Sequence, residues 1–209
     1  FYRGVGARPR MHGEGVPLAL VRLVARNRRR YGGYIVHAGI VIMFSAFAGL
    51  AFRLENDVTI KPGETFTTRD PYGHTWTFTS QGVSRFDRLN RLVTAIALQT
   101  TRDGKPVGVI SSEKRQHVDS RGNPTFEPST EVGIRSSARQ DVYVVLAGVI
   151  GEETAEVRIT FNPLVVWVWA GGLVMALGGL IVMWPQADRR HAQGGYVAVL
   201  EPATAGAGT

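Results

Sequence analysis

The 209-residue chain carries a formal net charge of +7 and is 44% hydrophobic, a length that allows one or two domains. It has no cysteine, which excludes disulfides, thiolate metal ligation and cysteine catalysis. No base-stacking aromatics interleave with the basic residues, so the charge reads as membrane orientation and not as nucleic-acid binding.

Residues 1–15 are basic, glycine-containing and weakly patterned. The chain begins at Phe1, which fits a processed product or a piece of a longer protein. From Val16 to Arg30, apolar Leu20, Leu23 and Val24 recur at helical spacing, while Arg22, Arg26, Asn27 and Arg29 take other faces. Residues 1–30 are therefore expected to be a cytoplasmic basic segment with an interfacial amphipathic helix. A connector between two spans, its arginines on anionic lipid, fits the same pattern.

Residues 31–52 form the first predicted transmembrane helix. Tyr34 to Phe52 is about 19 residues without a charge, enough to cross a hydrocarbon core of roughly 30 Å. The apolar stretch is too long, and starts too far into the chain, for a signal peptide. Arg22, Arg26 and Arg28–Arg30 precede it, and Arg189 and Arg190 follow a second span. The positive-inside rule puts both flanks in the cytoplasm of a bacterial inner membrane and residues 53–162 in the periplasm.

That exported region reads as β-rich. Thr75-Trp76-Thr77-Phe78-Thr79 alternates with period two and buries Trp76 and Phe78. Leu92 to Thr100 and Val107 to Ser111 flank Arg102-Asp103-Gly104-Lys105, a hairpin signal. Asn123-Pro124 marks another turn. Val142 to Leu146 suits a strand buried on both faces, and Val157, Ile159 and Phe161 alternate with Glu156, Arg158 and Thr160. Six to eight short strands predict a small all-β sandwich or barrel. The fold class is thus a membrane α + β protein, with two transmembrane helices flanking a β domain.

Residues 163–184 form the second helix, with Asn162 as N-cap, Pro163 at the first helical position and Pro185 as the stop. Trp167, Trp169 and Trp184 sit near its ends, as interfacial tryptophans do. Gly171, Gly172, Gly178 and Gly179 make two pairs seven apart, a face another helix can approach closely. A plain single-pass anchor is the alternative. Residues 185–209, rich in alanine and glycine, are expected to be a disordered cytoplasmic tail.

Of the five histidines, only His37 lies in a predicted span. Its helical face carries Gly33, Tyr34, Ile40, Val41 and Phe44. Gly33 leaves room beside the imidazole, Tyr31 and Tyr34 can hydrogen-bond a carboxylate or anchor at the interface, and Arg30 can pair with an anion. A neutral imidazole in that slot suits axial ligation of haem iron. Equally, a histidine here can hydrogen-bond a neighbouring helix or snorkel to the interface. The second span contains no histidine, so a second ligand must come from elsewhere. His74 and His117 read as surface histidines. Glu152 and Glu153, if adjacent on a strand, point to opposite faces. Gly4-Val5-Gly6 completes no phosphate-binding fingerprint. No catalytic constellation is visible in residues 53–162.

The run Arg28-Arg29-Arg30-Tyr31-Gly32-Gly33-Tyr34-Ile35-Val36-His37 resembles the CcmF/CycK/NrfE family, the cytochrome c haem lyase subunits of cytochrome c maturation. Supporting pieces follow in order. Pro62-Gly63-Glu64 opens the β region, Asp141-Val142-Tyr143-Val144 lies late in it, and Asn162-Pro163-Leu164 leads to a helix ending at Trp184-Pro185. Family members are longer and have many membrane helices, so the resemblance is to their C-terminal portion. It implies that His37 ligates a b-type haem shared with a histidine outside this chain, with Gly33, Tyr34 and Arg30 as surroundings. It further implies quinol as electron donor. Implied partners are the rest of the lyase, a haem chaperone, and apocytochrome c with its thiol-handling partners. The family's tryptophan-rich segment and the histidines that hold delivered haem are not matched here, so His74 and His117 inherit no role. The segment alone is not expected to be catalytic. The alternative is a non-catalytic, membrane-tethered binding or docking module.

Overall fold

A computed structural model describes residues 24–25 and 27–184. The expected interfacial helix lies mostly, and the expected disordered tail wholly, outside the described residues. Helix α1 (Arg28–Gly49) and a short 3-10 turn (Leu50–Phe52) lead into nine strands. These are β1 (Leu54–Ile60), β2 (Thr65–Arg69), β3 (Thr75–Arg88), β4 (Arg91–Arg102), β5 (Lys105–His117), β6 (Ser129–Glu131), β7 (Gly133–Arg135), β8 (Gln140–Ile150) and β9 (Thr154–Pro163). Helix α2 (Val165–Met183) closes the described chain.

The strands form two separate sheets, β1-β9-β8-β7 and β2-β3-β4-β5-β6, so the β region is a sandwich and not a barrel. Trp76 and Phe78 are buried, as their alternation with threonines requires. They meet Phe161 of the facing sheet, with ring centroids 5.7 and 6.4 Å away. Val142, Val144, Leu146, Val157 and Ile159 complete this layer. Asp103 and Gly104 both have positive φ, which a tight two-residue β-hairpin turn requires.

Several local expectations change. The run Val142 to Leu146 alternates between buried and half-buried, because one face of its sheet stays partly open. Glu152 and Glu153 occupy the β8–β9 turn and not a strand. The turn expected at Asn123-Pro124 is built by Asp119, whose carboxylate accepts the N–H groups of Arg121 and Asn123, and Pro124 is already back in a bridge with Val118. Pro62-Gly63-Glu64 joins β1 to β2 and does not open the β region, since β1 precedes it.

The start of α2 is the largest correction. Asn162 and Pro163 are buried at the end of β9, in register with Asp141 and Gln140. Pairing with β8 holds them extended, so neither can cap a helix. The reversal falls on Leu164, in the left-handed region at φ 60°, without a side-chain cap. Its N–H donates to Arg139 O at 2.9 Å, and Trp167 Nε1–H donates to Ala138 O at 2.8 Å. Trp167 thus ties the helix to the sandwich.

The two helices pack antiparallel along a glycine seam. Gly32 and Gly39 of α1 are seven apart, as are Gly171 and Gly178 of α2, and all four are buried. A Cβ on Gly39 would lie 2.7 Å from Gly171 O, and one on Gly178 would lie 2.7 Å from Val36 N. Those neighbours are backbone atoms that cannot yield. Gly172 and Gly179 take no part, since a Cβ on either meets nothing within 4 Å. Both helices are long and apolar enough to cross a membrane.

Candidate functional site

The seam determines where His37 points. Five residues beyond Gly32, it is rotated about 140° around the helix. It is therefore exposed on the side of α1 turned away from α2, together with Tyr34, Val41 and Phe44. Ring atom Nδ1 lies 2.8 Å from the carbonyl oxygen of Gly33, one turn back. A carbonyl only accepts, so Nδ1 carries the proton and the Nε2 lone pair is free. A backbone carbonyl on the far ring nitrogen also orients the imidazoles that bind metals.

The predicted surroundings share this stripe. A Cβ on Gly33 would meet nothing within 4 Å, so the space beside the imidazole is open. Arg30 Nε donates to the Tyr34 hydroxyl at 3.2 Å, with the guanidinium 5.9 Å from the Tyr34 ring centroid. Tyr31 packs edge-on against Tyr34 at 6.1 Å. Arg30, Gly33, Tyr34 and His37 are thus brought together on one helix face. Arg30 holds Tyr34, where the sequence treated each as a separate contact. Among the described residues, no group of three or more His, Asp or Glu could hold a metal ion.

His74 is committed elsewhere. It bridges Asp103 and Arg102: Nδ1–H donates to Asp103 Oδ2 at 2.8 Å, and Nε2 accepts from Arg102 at 3.1 Å. The Thr75 N–H, above all, holds the Asp103 carboxyl below the usual carboxylate range, with His74 and Arg102 adding to the effect. His117 ends β5 opposite Arg91.

Sequence reasoning missed Asp70, 3% exposed. Its Oδ1 accepts the backbone N–H groups of Tyr72 and His74, both at 2.9 Å. Its Oδ2 accepts Trp76 Nε1–H at 3.0 Å and Gln140 Nε2–H at 2.5 Å. These four bonds satisfy a buried carboxylate without a cation and join the β2–β3 turn to the other sheet. Its one sequence signal was the turn composition of Asp70-Pro71-Tyr72-Gly73, which reads as a surface loop.

Residues 51–163 match the family described as "CcmF C-terminal beta-sandwich". The chain is 30% identical over 165 residues to the cytochrome c-type biogenesis protein CcmF of Escherichia coli, covering 77% of this chain and 24% of that protein. It is 28% identical to the cytochrome c-type biogenesis protein CycK of Rhizobium meliloti, covering 81% and 23%. A solved structure titled "Cytochrome c Heme Lyase CcmF" superposes with a TM-score of 0.61 at 28% identity, over 77% of this chain and 26% of that one. The chain spans about a quarter of the length of the curated relatives it matches.

Proposed function

The chain belongs to the CcmF C-terminal β-sandwich family, and from that premise we propose that it is the C-terminal segment of a cytochrome c haem lyase, with His37 an axial ligand of a b-type haem. One observation carries the reading. His37 stands on the outward stripe of α1, its Nδ1 bound to Gly33 O at 2.8 Å, and so presents Nε2, unpartnered among the described residues, away from α2. That arrangement serves a ligand held jointly with a part of the protein outside this chain. It does not serve a bond to α2.

The residues present fit such a group. His37 supplies a neutral nitrogen donor, Gly33 leaves open space, and Arg30 with Tyr34 supplies a cation and a hydroxyl one turn nearer the basic flank. When bound, the haem supplies one-electron transfer, which the family resemblance links to keeping a delivered haem iron reduced at the expense of quinol. The chain's own work is to fix the imidazole tautomer and hold the ring in an apolar helix face. Two apolar helices and their basic flanks support a bacterial inner-membrane location with the sandwich in the periplasm. The rest of the lyase, a haem chaperone and apocytochrome c are the partners this reading requires.

The test is the visible spectrum of the purified full-length protein. His37→Ala is expected to remove the b-type haem, and His37→Gly with added imidazole to restore part of it. Unchanged haem content and α/β bands in His37→Ala would refute the ligand assignment.

A further inference from the structure

The two sheets part at the end of the sandwich that meets the helices. The cleft between them holds about 240 Å³, below the roughly 300–1,000 Å³ of sites that take drug-sized ligands. One sheet contributes Trp76, Arg102 and Val107, and the other Arg135, Gln140 and Val142. The register explains how two arginines come to face inward. Arg102 pairs with Trp76 across β3 and β4, and Arg135 pairs with Val142 across β7 and β8. Directly paired residues share a sheet face, and both partners are buried in the core.

The cleft is electropositive. Arg102 lies 6.0 Å from the Trp76 ring centroid. Its Nη2 donates to His74, and its Nε is 3.8 Å from Asp103, a carboxylate already bound to Thr75 N–H and His74. Arg135 reaches toward the other sheet, because a Cβ on Gly108 of β5 would lie 3.7 Å from Arg135 Nη1. Arg135 makes no ion pair among the described residues. No Asp or Glu lines the cleft. Two guanidiniums without a lining carboxylate select an anion.

Gln140 sets a second requirement. It is 4% exposed, and its Oε1 accepts no hydrogen bond among the described residues. Its Nε2 donates to Asp70 Oδ2, so turning the amide over would set two acceptors against each other. An occupant that fills this need carries a donor as well as a negative charge. Position sets the third. Residues 136–139 join β7 to β8 at the cleft, where Ala138 O accepts Trp167 Nε1–H and Arg139 O accepts Leu164 N–H. The cleft therefore lies beside the first turn of α2, a helix long and apolar enough to cross a membrane.

We propose that this cleft binds the headgroup of an anionic phospholipid of the phosphoglycerol type. Arg102 and Arg135 take the phosphate, and a glycerol hydroxyl donates to Gln140 Oε1. An ethanolamine headgroup would bring an ammonium to two arginines, which repel it. The inference rests on the membrane placement of α2 and on nothing about haem.

The experiment uses the full-length protein in detergent and phosphatidylglycerol carrying a photoreactive diazirine on its headgroup. Crosslinked peptides are expected from residues 102–107 and 135–142. Arg135→Gln alters an exposed side chain, so it should melt within about a degree of wild type, yet lower that yield about tenfold or more. Unlabelled phosphatidylglycerol should compete severalfold better than phosphatidylethanolamine. Soluble glycerol phosphate at the same concentration should not compete, since it lacks the acyl chains that hold a lipid at the helix. Haem content should be unchanged in Arg135→Gln, so failure of the haem assignment leaves this test intact. Crosslinks confined to the arginines ahead of α1, wild-type yield in Arg135→Gln, or equal competition by phosphatidylethanolamine or by glycerol phosphate would each overturn the proposal.

Discussion

Two side chains show how local chemistry holds the β region together. Asp70 is a buried carboxylate whose four acceptor sites are all filled by N–H donors. Asp70→Ala leaves Trp76 Nε1 and Gln140 Nε2 buried without partners, so the expected cost is about 2–4 kcal/mol, read from the urea unfolding midpoint. Asp103 works at the surface. Its carboxyl is held low, first by the Thr75 N–H and then by His74 and Arg102. A depressed folded pKa means that its contribution is present above the ordinary carboxylate range and is lost as pH falls through the folded value. Hydrogen exchange at the Thr75 amide, corrected for the intrinsic rate, should therefore show protection that weakens only in that acid window. Asp103→Asn should abolish this pH dependence. His37 was legible in the sequence as a histidine within an apolar helix, but its direction was not, because direction depends on which face of α1 the second helix covers.

Among the elements, patterns read best where burial follows one period. The Thr75–Thr79 alternation and the Asp103-Gly104 turn came straight from the chain, since each rests on a local rule. Asn162-Pro163 misled for the opposite reason: its capping chemistry was real, but pairing with β8 outweighed it. The glycine pattern of α2 was visible, whereas its complement on α1 was not, because Gly33 beside Gly32 blurs the seven-residue spacing of Gly32 and Gly39. The distinction is testable within one helix. Gly171→Leu must displace Gly39 O and Met43, so it should cost about 2 kcal/mol or more and lower the yield of folded protein in detergent. Gly172→Leu, next to it and facing open space, should melt within about a degree of wild type, as surface substitutions usually do. Equal damage from both would mean that the seam is not where the helices touch.

At the scale of the whole molecule, the sandwich is an insertion between two helices that pack directly on each other along the glycine seam. Its entrance and exit lie side by side, because Leu54 and Phe161 are register partners in the β1–β9 pair. Antiparallel partners have Cα atoms about 5 Å apart, so a short flexible linker can replace everything between them. Replacing Glu55 to Thr160 with a glycine–serine linker removes the Trp167–Ala138 and Leu164–Arg139 bonds but leaves the Gly39–Gly171 and Gly32–Gly178 contacts. Haem binding and maturation should then separate. In the full-length protein the proposed b-type haem spectrum should persist, because the residues this chain is proposed to contribute to it lie wholly on α1, whereas maturation of a co-expressed apocytochrome should stop, because the sandwich is gone. Loss of haem and maturation together would show instead that the sandwich is needed to hold α1 and α2 in register, with Trp167 the first residue to examine.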